Sequence, residues 1–108
     1  MSDVAVVAPA GRIDSTTAAD LERAVFGHLS ATQPRLIVDL AAVEYISSAG
    51  LRVLLKAAKT IEEKGGRLVL CALGPSVREV FELAGLRPIF AVEESRERAL
   101  ARFHGGAS

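Results

Sequence analysis

The residues of this chain best suited to chemistry lie together in Tyr45-Ile46-Ser47-Ser48-Ala49-Gly50-Leu51, where two adjacent hydroxyls precede an amphipathic run. After them Leu51, Leu54, Leu55, Ala58 and Ile61 line one helical face, with Arg52, Lys56, Lys59 and Glu63 elsewhere. The serines therefore stand where a helix begins and its first backbone N–H groups lack internal acceptors. A serine there serves as an N-cap, worth about 1 kcal/mol. Capping does not account for Gly50, because glycine inside a helix costs about 0.8 to 1 kcal/mol relative to alanine. A close approach by another surface, or a tight exit from the preceding strand, would account for it. The other chemistry open to a serine here is phosphoryl acceptance. Phosphate carries about −1.5 to −2 charges, which the positive end of the helix dipole favours, so the fold could survive the modification. Against a docked partner the same group would set like charges together at a cost of several kcal/mol, and about 1.4 kcal/mol is tenfold in affinity.

Other chemistries find less support. A hydrolytic serine needs a nearby base, yet Ser47-Ser48-Ala49-Gly50 is not a G-x-S-x-G elbow and the chain has only His28 and His104. His28 is expected on the first helix and His104 in the tail, both facing solvent, so no catalytic residue is assigned. One cysteine and two distant histidines do not make a zinc set, and no metal or cofactor is expected. Lys64-Gly65-Gly66 precedes a strand, the reverse of a phosphate-cradling loop, and reads as a helix stop. Asp14 is placed to start a turn into the first helix, Asp39 to end a strand, and Arg96-Glu97-Arg98 to form a solvated helix surface.

The elements that must position the serines follow from changes in apolar period. Residues 4–8 form a short apolar run closed by Pro9 and Gly11 and resumed at Arg12-Ile13, a strand suited to a sheet edge. Ala18, Leu21, Val25 and Leu29 recur at helical spacing, with Thr17 and Asp20 placed for a capping box. Leu36-Ile37-Val38 reads as a strand covered on both faces. The serine-led helix ends at Gly65-Gly66, and 67–72 form a third strand. Pro75 opens a helix carrying Val77, Val80, Phe81 and Ala84, which Gly85 terminates. Residues 89–92 make a fourth strand, and Ser95 caps a last helix holding Ala99, Leu100 and Phe103 inward. Four successive strand-helix units require crossovers. The fold class is α/β: one domain over residues 1–108, a largely parallel sheet with helices packed on it, and a disordered tail at about 104–108.

Composition bounds the partners. Half of the 108 residues are hydrophobic and 24% are charged, the balance of a packed globular domain. Thirteen basic and thirteen acidic residues cancel, which argues against a nucleic-acid partner. Cys71 sits in an apolar run as a small buried hydrophobe. The N-terminus has no basic-then-apolar leader, and no stretch of about 18 apolar residues occurs. A cytoplasmic protein with no membrane partner is expected.

The chain resembles the STAS domains, and among them the bacterial anti-anti-sigma factors, or anti-sigma factor antagonists. The resemblance is carried by Gly11-Arg12-Ile13-Asp14, Leu36-Ile37-Val38-Asp39-Leu40, Tyr45-Ile46-Ser47-Ser48-Ala49-Gly50-Leu51-Arg52 and Gly65-Gly66-Arg67-Leu68. It continues through Val77-Arg78-Glu79-Val80-Phe81-Glu82-Leu83-Ala84-Gly85-Leu86, nearly the whole chain. It implies a non-enzymatic partner switch. The unmodified antagonist binds an anti-sigma serine kinase of the histidine-kinase-like ATPase fold and so frees a sigma factor. The kinase phosphorylates the antagonist, the complex separates, and a PP2C-type phosphatase resets it. The phosphoacceptor position falls on Ser48, and the partner-contact positions on Asp14, Gly50 and Leu51, with Ser47, Ala49 and Arg52 in the same segment. Where such proteins carry an Asp before the acceptor this chain has Ser47, which becomes the second choice of acceptor. Arg52 replaces a common glycine and sets a cation on the docking side. An extra N-terminal strand common in these proteins has no room before Val4. The alternative reading is an adaptor subunit that is not phosphorylated, in a lipid-transport or stress-signalling complex.

Overall fold

The computed structural model describes residues 4–104. The chain runs β1 (Val4–Val7), β2 (Ala10–Ile13), α1 (Ala18–Phe26), β3 (Arg35–Asp39), β4 (Ala42–Ile46), α2 (Ser48–Glu63), β5 (Arg67–Cys71), α3 (Pro75–Leu83), β6 (Ala91–Glu93) and α4 (Arg96–His104). The expected four strand-helix units are present, but the first two each carry a second strand. Pro9, which has no N–H to donate to a ladder, separates β1 from β2. Asp39 separates β3 from β4: its Oδ1 accepts the Ala41 N–H at 2.9 Å, and the Val43 N–H donates to Leu40 O at 3.0 Å, closing a turn. The displaced strands leave the main sheet and pair with each other.

The main sheet has the order β1-β3-β5-β6 and the small sheet pairs β2 with β4. Every pairing is parallel, as the crossovers require. β1 lies at an edge, where an apolar run bounded by proline can sit. Side chains alternate faces along β3 and β5. Leu36, Val38, Leu68 and Leu70 join the main core with α1, α2 and α3, while Ile37, Val69 and Cys71 pack against Ala99 of α4. Cys71 is fully buried, and desolvation pushes its thiol pKa up to about 11.

Helix ends follow the local sequence. α2 closes with Gly65 at φ +74°, its N–H donating to Glu62 O and that of Gly66 to Ile61 O, the paired pattern of a left-handed C-cap. A Cβ on Gly66 would lie 2.0 Å from the Pro34 carbonyl oxygen, so the end of α2 is pressed against the entry to β3. Pro75 stands in the first turn of α3, and Ser95 Oγ accepts the Arg98 N–H at 3.1 Å ahead of α4.

Several expectations are corrected. Thr17 does not complete a capping box with Asp20: no cap bond forms from its side chain, and its Oγ1 instead donates to Arg12 O at 2.9 Å. His28 lies in the turn after α1 rather than on it. The fourth strand starts at Ala91, because the Ile89 and Phe90 N–H groups both bond back to Leu86 O in a turn. Arg96 is not merely solvated; its Nε donates to the buried Asp39 at 2.9 Å and ties α4 to the sheet. His104 belongs to α4, and the rest of the expected tail, 105–108, lies outside the described residues.

Candidate functional site

β2 and β4 end side by side. Ile13 and Ile46 are register partners, and the Ser47 N–H donates to Ile13 O at 2.8 Å. Asp14 and Ser47 therefore leave the small sheet together, and α1 and α2 start from the same end of it.

The two serines divide the roles that adjacent hydroxyls left open. Ser47 is the N-cap, extended at φ −89° and ψ 173°, with its Oγ accepting the Gly50 N–H at 3.4 Å. Ser48 is the first helical residue and is exposed, and among the described residues no group bonds its hydroxyl. Its Oγ stands at the positive end of a 16-residue helix, next to backbone N–H groups that the helix cannot satisfy.

Gly50 and Leu51, expected on the contact surface, are buried instead. A Cβ on Gly50 would approach Ile13 Cγ2 to 2.7 Å and Ile46 Cγ1 to 2.8 Å. The surface that comes close to this glycine is thus the chain's own strand pair. Leu51 is 8% exposed and packs in the main core. What α2 presents beside Ser48 is Ala49, half-buried, and Arg52, exposed and four residues on. A spacing of four puts Arg52 on the same face as Ser48, about 5 to 6 Å away between Cβ atoms.

Asp14 performs the turn-forming role read from its position. Its Oδ1 accepts the Thr16 Oγ1–H at 2.7 Å, the Thr16 N–H at 2.9 Å and the Thr17 N–H at 3.2 Å. The Thr16 hydroxyl first, then these backbone donors, hold its carboxyl below the ordinary aspartate range. No donor among the described residues reaches its other oxygen, so Asp14 can hold the turn and still accept a bond from outside.

Between α1 and α2 lies a groove of about 260 Å³, lined by Ala18, Ala19, Glu22, Ala49, Arg52 and Lys56 among others. Glu22 and Lys56 bridge it at 2.7 Å, and Arg52 has no carboxylate partner among the described residues. On the neighbouring small sheet Arg12 stacks over the Tyr45 ring at 4.6 Å, a contact set by their register that sequence spacing does not announce. The arrangement offers a free hydroxyl on Ser48 at the start of α2, a partly free carboxylate on Asp14 ahead of α1, and on the groove wall the Arg52 cation. Among the described residues no group of three or more His, Cys, Asp or Glu is placed to hold a metal, and no helix is long and apolar enough to cross a membrane.

Comparison with known proteins agrees with this architecture. The STAS domain model matches residues 2–99. BtrV of Bordetella bronchiseptica, provisionally designated an anti-sigma factor antagonist, is 46% identical over 93 residues, covering 86% of this chain and 80% of that protein. RsfB of Mycobacterium tuberculosis, an anti-sigma-F factor antagonist, is 36% identical over 104 residues, covering 95% of this chain and 84% of the relative. The structure of the anti-sigma factor antagonist SpoIIAA in its unphosphorylated form superposes with a TM-score of 0.74 at 25% identity, over 96% of this chain and 91% of that one. With the exposed serine at the helix start, the parallel small sheet and a match over almost its full length, the chain belongs to the STAS domain family.

Proposed function

We propose that this chain is an anti-sigma factor antagonist, that it binds an anti-sigma serine kinase of the histidine-kinase-like ATPase fold through the α1–α2 groove, and that phosphorylation of Ser48 releases it. The observation that carries the reading is the division of labour at the start of α2: Ser47 supplies the cap, leaving the exposed Ser48 hydroxyl without a structural task. The likeness to RsfB and BtrV supports the antagonist role.

In the bound state Asp14 and Arg52 frame the hydroxyl, offering the kinase an acceptor and a cation to orient against. Ser48 Oγ attacks the γ-phosphorus of ATP, its proton passes to a base on the kinase, and ADP leaves. The new dianion is tolerated by this chain, because the helix dipole and Arg52 both favour it. It is not tolerated by a partner surface shaped for a neutral serine beside the Asp14 carboxylate. Like-charge contact costing several kcal/mol lowers affinity by two decades or more. Hydrolysis of the phosphate ester by a PP2C-type phosphatase returns the hydroxyl and releases inorganic phosphate.

The test is incubation with the cognate kinase and ATP, with mass spectrometry to locate the phosphate and calorimetry to measure binding. The expected result is phosphate on Ser48, loss of at least tenfold in affinity for Ser48→Asp, and no ATP-driven release of Ser48→Ala. Equal binding by wild type and Ser48→Asp, with no modified serine, would replace the switch with the fixed adaptor reading.

A further inference from the structure

At the far end of α2, about 24 Å from Ser48 by helical rise, lies a second concentration of charge that the switch does not use. Arg35 opens β3 and Arg67 opens β5, and the two are register partners on neighbouring parallel strands. Both side chains stand on the α4 face, in line with Ile37 and Val69 beneath that helix. Like charges placed directly opposite destabilise a sheet, yet neither guanidinium has an ion pair or hydrogen bond among the described residues. They are exposed and face a cleft of about 440 Å³ whose lining includes Gln33, Gly65, Gly66, Arg102 and Phe103.

The cleft has a specific build. Gly65 and Gly66 contribute bare backbone: the first holds a left-handed φ of +74°, and the second cannot carry a side chain because of Pro34. Their N–H groups are spent on the end of α2, so donors to a ligand must come from side chains. Arg102 supplies the third guanidinium. Its Nε is bonded to Glu93, which fixes the group and leaves its terminal nitrogens free. Each guanidinium presents paired N–H donors in a planar fork that matches phosphate oxygens two at a time.

We propose that Arg35, Arg67 and Arg102 form a binding site for a small soluble phosphate-bearing anion in this cleft. A multivalent anion relieves the repulsion across the β3–β5 register and takes guanidinium donors that no group among the described residues uses. The site is separate from the Ser48 surface and does not depend on the switch.

The probe is pyrophosphate, with orthophosphate and glycerol phosphate as second and third arms to separate inorganic anions from phosphate esters. Each is titrated into the full chain by calorimetry and by thermal melting at constant ionic strength. The expected result is saturable binding that raises the melting temperature. Affinity should fall at least tenfold in Arg35→Gln/Arg67→Gln and less in Arg35→Lys, which keeps charge but loses the fork. Arg98→Gln, on the exposed side of α4, and Ser48→Ala should bind as wild type. Circular dichroism checks that each variant is folded, and Arg102→Gln supplies an independent loss should the double variant unfold. Absence of saturable binding up to about 10 mM in all three arms, or equal binding by wild type and Arg102→Gln, would overturn the proposal, as would retention on single-stranded DNA in place of pyrophosphate binding.

Discussion

Replacing the two serines of α2 one at a time should separate stability from switching. Ser47→Ala removes the oxygen that accepts the Gly50 N–H. An N-cap is worth about 0.5 to 2 kcal/mol, and a bond of 3.4 Å lies at the long limit, so the loss belongs near about 0.5 to 1 kcal/mol. For a domain of this size that lowers the melting temperature by roughly 2 to 8 °C. Ser48→Ala removes a hydroxyl with no partner at an exposed first-turn position, so its change should stay within about 0.5 kcal/mol. Thermal melts followed by circular dichroism read the first effect, and kinase treatment with mass spectrometry reads the second. Ser47→Ala should melt lower and still accept phosphate at Ser48, whereas Ser48→Ala should melt as wild type and accept none. If both variants lost the same stability, or if phosphate moved to Ser47 in the wild type, the division of roles between the two hydroxyls would be wrong.

Gly50→Ala sets a Cβ 2.7 and 2.8 Å from branched isoleucine atoms close to their backbones. Overpacking of about 1 to 3 kcal/mol then outweighs the gain of about 1 kcal/mol in helix propensity, and the urea midpoint should fall; an unchanged or higher midpoint would contradict the packing described. Asp14 has its pKa lowered in the folded chain, so its contribution is present above the unfolded value of 3.8 and is lost as pH falls through the folded value. The melting-temperature gap between wild type and Asp14→Asn should be constant near neutrality and close on acidification, and a gap that widens toward about pH 2 would show the sign to be wrong.

What could be read without coordinates was what depends on near neighbours along the chain. Leu36-Ile37-Val38 announced a strand buried on both faces, and Pro75, Gly65 and Gly85 marked helix ends where they occur. The small sheet was not legible. β2 and β4 are short and partly exposed, and their pairing joins segments about thirty residues apart, so neither shows the alternation of an isolated strand. Gly50 signalled that something approaches the helix closely, but only tertiary packing identifies Ile13 and Ile46 as the neighbours. Likewise Ser47 and Ser48 are equally good caps as residue types, and the extended backbone of the first decides between them. The facing of Arg35 and Arg67 depends on strand register, which composition cannot supply.

The single thiol of this molecule offers a built-in clock for transient opening. Cys71 is sealed between β3, β6 and α4, and with its pKa pushed up to about 11 it holds almost no reactive thiolate at neutral pH. An alkylating reagent can react only when those layers part. The rate at which the intact chain becomes labelled therefore measures how often the α4 side of the sheet comes undone, with no probe to attach and no residue to replace.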